Sequence, residues 1–384
     1  MSEFRGSIAQ VNVQFPIETV IEPVAGENYT RAIIYMHVNL ATANLPGIDT
    51  PAAGMKIELD SSSYGSVTGD ALKKWLVPFF TSAQAAKLAV VLYDTDTTDT
   101  SGGEPVTVPA TAPIGDVYEA TKYWAYFKFG FAASVDYNSL QSTLATLCLA
   151  DPLYSQLWVG TSDADVLLKT SALINALNGA DADARVIYNP DANINPALAQ
   201  LGDTLATANA TGTPVGNDTD MHGFNTIKAS GATDSEGNVG NLTATQKAAL
   251  DEQKIGYNTW VGDGTENVVT EGSMTLKGNV VGAQWVKCYI EYMCKIRTAN
   301  FITRRNKFRN NAEYQATLCI LSDVVKDFLD FGRLDAFKIT APIFADLPKS
   351  ADALTVPNAW EATYIDKIRS VTVYGTLYVT QPTK

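Results

Sequence analysis

The chain has 384 residues, of which 46% are hydrophobic and 18% charged, and 41 acids against 28 bases leave a net charge of −13. That length supports two or three domains around a sizeable core, and the composition excludes a disordered or fibrous chain. The acidic balance argues against a general nucleic-acid binder. No apolar run approaches the roughly 20 residues of a membrane helix, and Met1 to Gly6 shows no signal pattern, so a soluble protein made and kept in a cytoplasm is expected.

Ser7 to Phe15 alternates, with Ala9, Val11, Val13 and Phe15 on one side and Gln10, Asn12 and Gln14 on the other, and Pro16 ends it. It reads as a strand without a local partner, either an edge of the chain's own sheet or a ribbon for another molecule. Arg31–Leu40 and Met55–Leu59 read as further strands, with His37 a structural histidine that has no nearby metal-ligating partner. Asp70–Phe80 reads as a short helix closed by Pro78, and Lys87–Tyr93 as a buried strand. Residues 94–115 are rich in Thr, Asp, Gly and Pro and read as an exposed loop. Its acids Asp94, Asp96, Asp99 and Glu104 invite a calcium reading, but the positions that should hold the loop glycine and the closing glutamate are Asp99 and Pro105.

From Lys122 the hydrophobic period switches repeatedly. A strand is expected over Tyr123–Phe131, a helix carrying Leu140, Leu144 and Leu147, and a strand over Gln156–Val159. A helix over Asp163–Asn178 follows, then a strand over Ala184–Asn189 and a helix over Pro196–Ala208 capped by Asn195. Three strand-helix pairs imply a parallel sheet covered by helices. A nucleotide site does not follow, because the turn Gly130–Asp136 lacks clustered glycines and no GxxxxGK[ST] occurs. Residues 211–241 read as a connection, and their His222 has no nucleophile elbow to serve. Asp181 and Asp183 read as solvated turn residues, and Gly262-Asp263-Gly264 as a hairpin turn.

Near the end, Trp285, Val286, Tyr289, Ile290, Met293 and Ile296 recur at helical spacing over Ala283–Arg297, with Lys287, Glu291 and Lys295 on another face. A second helix is expected over Asn311–Phe331, striped by Tyr314, Leu318, Leu321, Val325 and Phe328 and stopped at Gly332. Between them, Lys295 to Arg309 carries six basic residues and no acid. The island admits three readings: a solvated connection, a contact with an acidic protein surface, or a nucleic-acid contact. Phe337–Ala341 reads as a strand. So does Ser370–Thr380, where Val371, Val373, Leu377 and Val379 face one way. Cys148, Cys288, Cys294 and Cys319 lie in apolar helical stretches without CxxC spacing, which favours buried free thiols over disulfides or zinc.

The order helix, basic connection, helix, strand, loop and long terminal strand resembles the C-terminal assembly domain of contractile tail sheath proteins, found in phage tails and phage-tail-like bacteriocins. Leu250–Asn279 extends the likeness, since it resembles that family's helix, asparagine turn, short hairpin and threonine-leucine-glycine-asparagine run. One departure is Glu271-Gly272-Ser273-Met274, which stands where sheaths often carry a tryptophan or glycine and an arginine, so no role of that arginine is carried over.

The resemblance implies an α/β fold class, with a C-terminal α+β assembly domain, a parallel-sheet α/β domain and extended terminal β-arms. The implied divisions are a linking arm over 1–20, an outer domain over 21–241 including loop 94–115, an assembly domain over 242–369 and a second linking arm over 370–384. It further implies a non-enzymatic subunit, without cofactor or metal, that polymerises as stacked hexameric rings around an inner tube and contracts. Its partners would be other copies of itself, the tube protein, and baseplate and tail terminator proteins, with no membrane insertion and no direct nucleic acid. The particle would be a virion tail assembled in the host cytoplasm. The implied strand-pairing residues are Val11, Val13, Phe15, Val371, Val373, Leu377 and Val379; the tube would meet Lys295, Arg297, Arg304, Arg305, Lys326 and Arg333. An α/β enzyme and another self-assembling tube or shell protein stand as alternatives.

Overall fold

Continuous apolar runs, rather than alternating ones, mark strands covered on both faces, and they dominate the centre of this chain. In β1 (Arg31–His37) the five residues Ala32–Met36 are all buried. The remaining elements are β2 (Lys56–Leu59), α1 (Asp70–Ser82), β3 (Lys87–Tyr93), β4 (Thr97–Asp99), β5 (Val106–Val108), α2 (Ile114–Thr121), β6 (Phe127–Phe131), α3 (Asn138–Ala150), β7 (Gln156–Thr161), α4 (Ala172–Gly179), β8 (Arg185–Tyr188), α5 (Pro196–Thr211), β9 (Phe224–Asn225), α6 (Ala244–Glu252), β10 (Gly256–Trp260), β11 (Val268–Glu271), α7 (Val281–Arg304), α8 (Asn311–Asp330), β12 (Leu334–Ile339) and β13 (Trp360–Tyr364). The computed structural model describes residues 27–38, 48, 50–67, 70–82, 86–131, 138–211, 224–225, 230–231, 240–260, 268–272, 274–304, 310–330, 334–347 and 359–364.

Nine strands form one sheet in the order β2-β3-β1-β6-β7-β8-β10-β11-β9. The six from β3 to β10 are mutually parallel, and β2, β11 and β9 close the edges antiparallel. Alternate residues feed two cores. Ile34, Met36, Val90, Leu92, Phe127 and Phe129 meet α1, α5, α7 and α8, while Ile33, Tyr35, Ala89, Val91, Leu157 and Val159 meet α2, α3, α4 and α6. The result is the three-layer arrangement that parallel strands require, as the strand-helix alternation implies.

Several local expectations change. The helix α1 runs through Pro78 to Ser82 instead of stopping there. An internal proline costs about 3 kcal/mol, but Phe79 and Phe80 are both buried in the core, and two buried phenylalanines at roughly 1.5 to 3 kcal/mol each outweigh it. The helix expected over 163–178 is two pieces. Asp163 caps a short turn over Ala164–Leu168, Lys169 ends it in the left-handed region (φ 60), and Ser171 caps α4 afresh. The supposed connection from Lys295 begins inside α7, which continues helically to Arg304. Cys148 and Cys288 are buried as expected, but Cys319 is exposed and Cys294 half-buried, because α8 turns position 319 outward together with Gln315 and Asp323. The sheet itself continues past residue 241, where β10 pairs with β8 through Gly256↔Ile187.

Candidate functional site

The C-terminal helical pair and the sheet meet in an aromatic joint. On α7, Trp285, Tyr289, Ile290, Tyr292, Met293 and Ile296 are all buried. Three of them meet Tyr29, whose ring stacks on Tyr126 at 4.6 Å, meets Trp285 and Tyr289 edgewise at 6.0 and 5.2 Å, and lies tilted to Tyr292 at 5.2 Å. Phe328 of α8 packs on Tyr289 at 5.4 Å. The polar atoms of Trp285 and Tyr29 are placed as well as the apolar ones. The Trp285 indole donates to the Tyr29 carbonyl at 3.3 Å, and the Tyr29 hydroxyl lies 2.5 Å from the Leu153 carbonyl and 3.0 Å from that of Cys288. Burial raises the Tyr29 phenol far above its usual range, so it stays a neutral donor.

A chain of amides fixes the start of α7. Trp158 Nε1 donates to Gln156 Oε1 (3.0 Å), Gln156 Nε2 to Gln284 Oε1 (2.8 Å), and Gln284 Nε2 to Asp183 Oδ2 (2.8 Å), which also accepts from Asn279 Nδ2 at 2.7 Å. Asp183 is therefore a joint residue near the positive end of α7, not the solvated turn residue that the sequence suggests. A second anchor was not legible either. Arg185 on β8 is fully buried and donates to the carbonyls of Gly272 (2.5 Å) and Met274 (3.1 Å). Only a glycine fits at 256, where a Cβ would sit 2.4 Å from that guanidinium. So the run 271–274 contains no arginine, yet an arginine from a distant strand lies against it.

The basic candidates do not form one face. Lys295 donates to the Tyr154 hydroxyl at 2.8 Å and lies over its ring, half-buried, and burial lowers its pKa against the opposing pull of Asp151. Arg297, two residues on and so on another side of the helix, pairs with Asp327 of α8 at 3.5 Å. Lys326 is exposed on the outer side of α8. Arg304 ends α7, and only its backbone is described; Arg305 and Arg333 lie outside the described residues. The seven strand-pairing candidates, Val11, Val13, Phe15, Val371, Val373, Leu377 and Val379, lie outside them too, as do His222 and Gly262–Gly264.

What is described beside α8 is a two-stranded antiparallel sheet. β12 pairs with β13 in the register Phe337↔Ala362, with an irregularity at Leu334/Ala336. It is held to α8 by buried Leu334 and by the Tyr314 hydroxyl, which donates to the Pro342 carbonyl at 2.6 Å. Among the described residues this sheet has no third strand. The strand β13 was not expected, although Trp360, Ala362 and Tyr364 alternate in the sequence.

The acids of loop 94–115 build turns. Burial pushes the Asp94 carboxyl up, but bonds from Thr111 N (2.9 Å), Thr111 Oγ1 (2.9 Å) and Ala112 N (2.5 Å) win and hold it low. Asp96 accepts from Ala110 N and Asp99 from Ser101 N, both at 2.8 Å. His37 lies 3.2 Å from the Thr95 hydroxyl. Among the described residues no three metal-ligating side chains converge, and no helix is long and apolar enough to cross a membrane. Lys128, whose pKa burial lowers to about 7, donates to the Lys122 carbonyl at 2.7 Å and to the Ala125 carbonyl, wholly enclosed.

No family model matches the chain, and no curated protein matches it. Solved structures do. A chain in the six-fold symmetrised cryo-EM structure of the anti-feeding prophage baseplate is similar over 95% of this chain and 98% of its own, at 12% identity and a TM-score of 0.60. An extracellular contractile injection system, the PVC sheath complex in its contracted state, matches over 95% and 98% at 10% identity and a TM-score of 0.47. A sheath tail protein from Listeria innocua matches over 94% and 98% at 9% and 0.44. The likeness is one of fold: along almost its whole length the chain has the mixed α/β architecture of the anti-feeding prophage baseplate chain.

Proposed function

We propose that the chain is a structural subunit of a contractile sheath, which polymerises as stacked hexameric rings around an inner tube and shortens to drive that tube through a cell envelope. One observation carries the reading, namely the fold shared over 95% of this chain with a component of the six-fold symmetric anti-feeding prophage baseplate. The geometry at the C-terminal end supports it. A two-stranded sheet is marginal by itself, and β12–β13 offers edges to further strands. The two segments whose sequence fits are Ser7–Phe15 and Ser370–Thr380, whose alternation sets Val11, Val13, Phe15, Val371, Val373, Leu377 and Val379 apart as the residues that would pair between copies. Supplied by neighbouring copies, they would link subunits while the bodies rotate and slide between two lattices.

The subunit is then a structural protein rather than an enzyme, part of a tail particle assembled in the host cytoplasm, and it works with a tube protein, a baseplate and a terminator. The tube contact then falls to Arg304, Arg305, Lys326 and Arg333, since Lys295 and Arg297 are engaged within the subunit. Loose, screened charge pairs suit a contact that must break on firing. Negative-stain microscopy of the purified chain tests the reading. Wide striated sleeves are expected; compact particles or narrow smooth filaments would sink it. Deleting Met1–Pro16 should leave a folded monomer that does not polymerise, and loss of the fold itself would overturn the arm assignment.

A further inference from the structure

Loop 94–115 is a built hairpin. β4 and β5 pair through Thr97↔Val108, Thr98↔Thr107 and Asp99↔Val106. Its base is locked by Asp94 and Asp96, and every residue from Thr95 to Pro109 is exposed. Val106 and Val108 share one face of it at 59% and 43% exposure, too open for a hairpin that serves only its own core. From 94 to 113 it carries Asp94, Asp96, Asp99 and Glu104 and no base. The hairpin is therefore an acidic finger with an apolar face.

The sheet carries the opposite surface. Three adjacent strands contribute Arg31, Lys56 and Lys87, with Glu58 the single acid among them, paired with Lys56 at 2.6 Å, so three cations face one carboxylate. Half-buried Trp124 lies against them, with the Arg31 guanidinium and the Lys56 ammonium each 5.3 Å from its ring. In a chain of net charge −13 this is a cationic, aromatic patch. Arg31 and Lys87 are the paired first residues of β1 and β3, while Lys56 pairs with Val91, toward the end of β3 from which the finger leaves after Tyr93.

We infer that the acidic finger of one copy docks on the Trp124 patch of the next. Val106 and Val108 cover the indole, and Asp99 and Glu104 approach Lys56 and Lys87. Two different surfaces of opposite character, the finger and the patch, make a heterologous contact, which repeats into a ring or a helix rather than closing as a dimer. The inference rests on the self-assembly proposed above, but it uses none of the residues assigned to the arms or the tube.

Charge reversal on each side tests it. D99K/E104K makes the finger positive, and K56E/K87E makes the patch negative. Each variant alone, with a native circular dichroism spectrum, should self-associate about tenfold more weakly than the parent chain in sedimentation velocity at low salt. An equal mixture of the two should regain association, because each positive finger then meets a negative patch and each negative finger a positive one; the fourfold variant should regain it alone. Striated sleeves that form equally well from both reversed variants would overturn this contact and leave the sheath reading standing. Loss without recovery in the mixture, from variants with native spectra, would also overturn it. A parent chain that never self-associates overturns both.

Discussion

The two halves of α7 are built on opposite terms. From Val281 to Ile296 the helix is sunk among Tyr29, Tyr126, Tyr154 and Phe328 and tied down by the amide chain through Gln284 and Asp183. From Arg297 to Phe301 no described side chain is buried, and over the facing stretch of α8, residues 311–322, only Tyr314 is. One end of the helical pair is thus welded to the sheet, while the other carries half-covered apolar residues such as Leu318 and Leu321. Burial of that extent at one end makes the pair and the sheet a single mechanical unit. The thin cover at the other end leaves surface for contacts that the isolated subunit does not make.

Truncation should separate the two ends sharply. Trp285→Ala removes a fully buried indole and its bond to the Tyr29 carbonyl, and should cost roughly 3 to 5 kcal/mol in urea unfolding of the monomer. Leu318→Ala removes a side chain that is only half covered, and should cost under about 1 kcal/mol. If Leu318→Ala proved as damaging as Trp285→Ala, the open end would be part of the folding core and the contrast would fail.

A second test lies within the welded region, where α1 and α5 touch so closely that a Cβ on Gly202 would sit 2.7 Å from the Phe79 carbonyl oxygen. Next to it, the Asp203 carboxyl accepts from Ser82 and is pushed up to about 7 by burial, which outweighs that bond. A folded-state pKa raised above the unfolded one favours the protonated form. Its stabilisation is therefore full below the usual carboxylate range and is lost as pH rises through about 7. Between pH 4 and 8 the parent chain should lose roughly 2 to 4 kcal/mol relative to Asp203→Asn, which has no such proton to release. Parallel stability-pH curves for the two proteins would show that the α1–α5 contact tolerates the ionised carboxylate.

How much of this was legible follows from range. Residues that report on their own segment did so: the run Lys87–Tyr93 and the Asn195 cap of α5 stand as read, and of the stripe from Tyr314 to Phe328 the residues Tyr314, Val325 and Phe328 are buried while Leu318 and Leu321 are half covered. Misreadings arose where a distant partner decides. Pro78 does not end α1, because Phe79 and Phe80, directly after it, reach the core. Asp183 looks like turn solvent until Asn279 and Gln284 arrive from about a hundred residues away. Lys295 belongs to a basic run in sequence but is drawn inward by Tyr154. The Trp124 patch had no sequence signal at all, since its cations come from three strands brought together only by the sheet. Patterning thus found most of the long elements, missed short ones such as β4, β5, α2 and β13, and could not find what the elements meet.

The smallest expected effect bears on the open end and on which bases are free to meet a partner. Arg297 and Asp327 are about half exposed and 3.5 Å apart, so breaking the pair should change monomer stability by only about 0.2 to 1 kcal/mol, and less at high salt. Arg297→Ala and Asp327→Ala should therefore look alike in unfolding experiments. On the proposed sheath reading they should diverge in co-sedimentation with a tube whose exterior is acidic. If the Asp327 pair holds Arg297 inside the subunit, Arg297→Ala leaves tube binding unchanged, whereas Asp327→Ala releases a guanidinium and strengthens it. Weaker binding by Arg297→Ala would instead show that the pair opens in the assembly, and that the basic surface is larger than the isolated subunit presents.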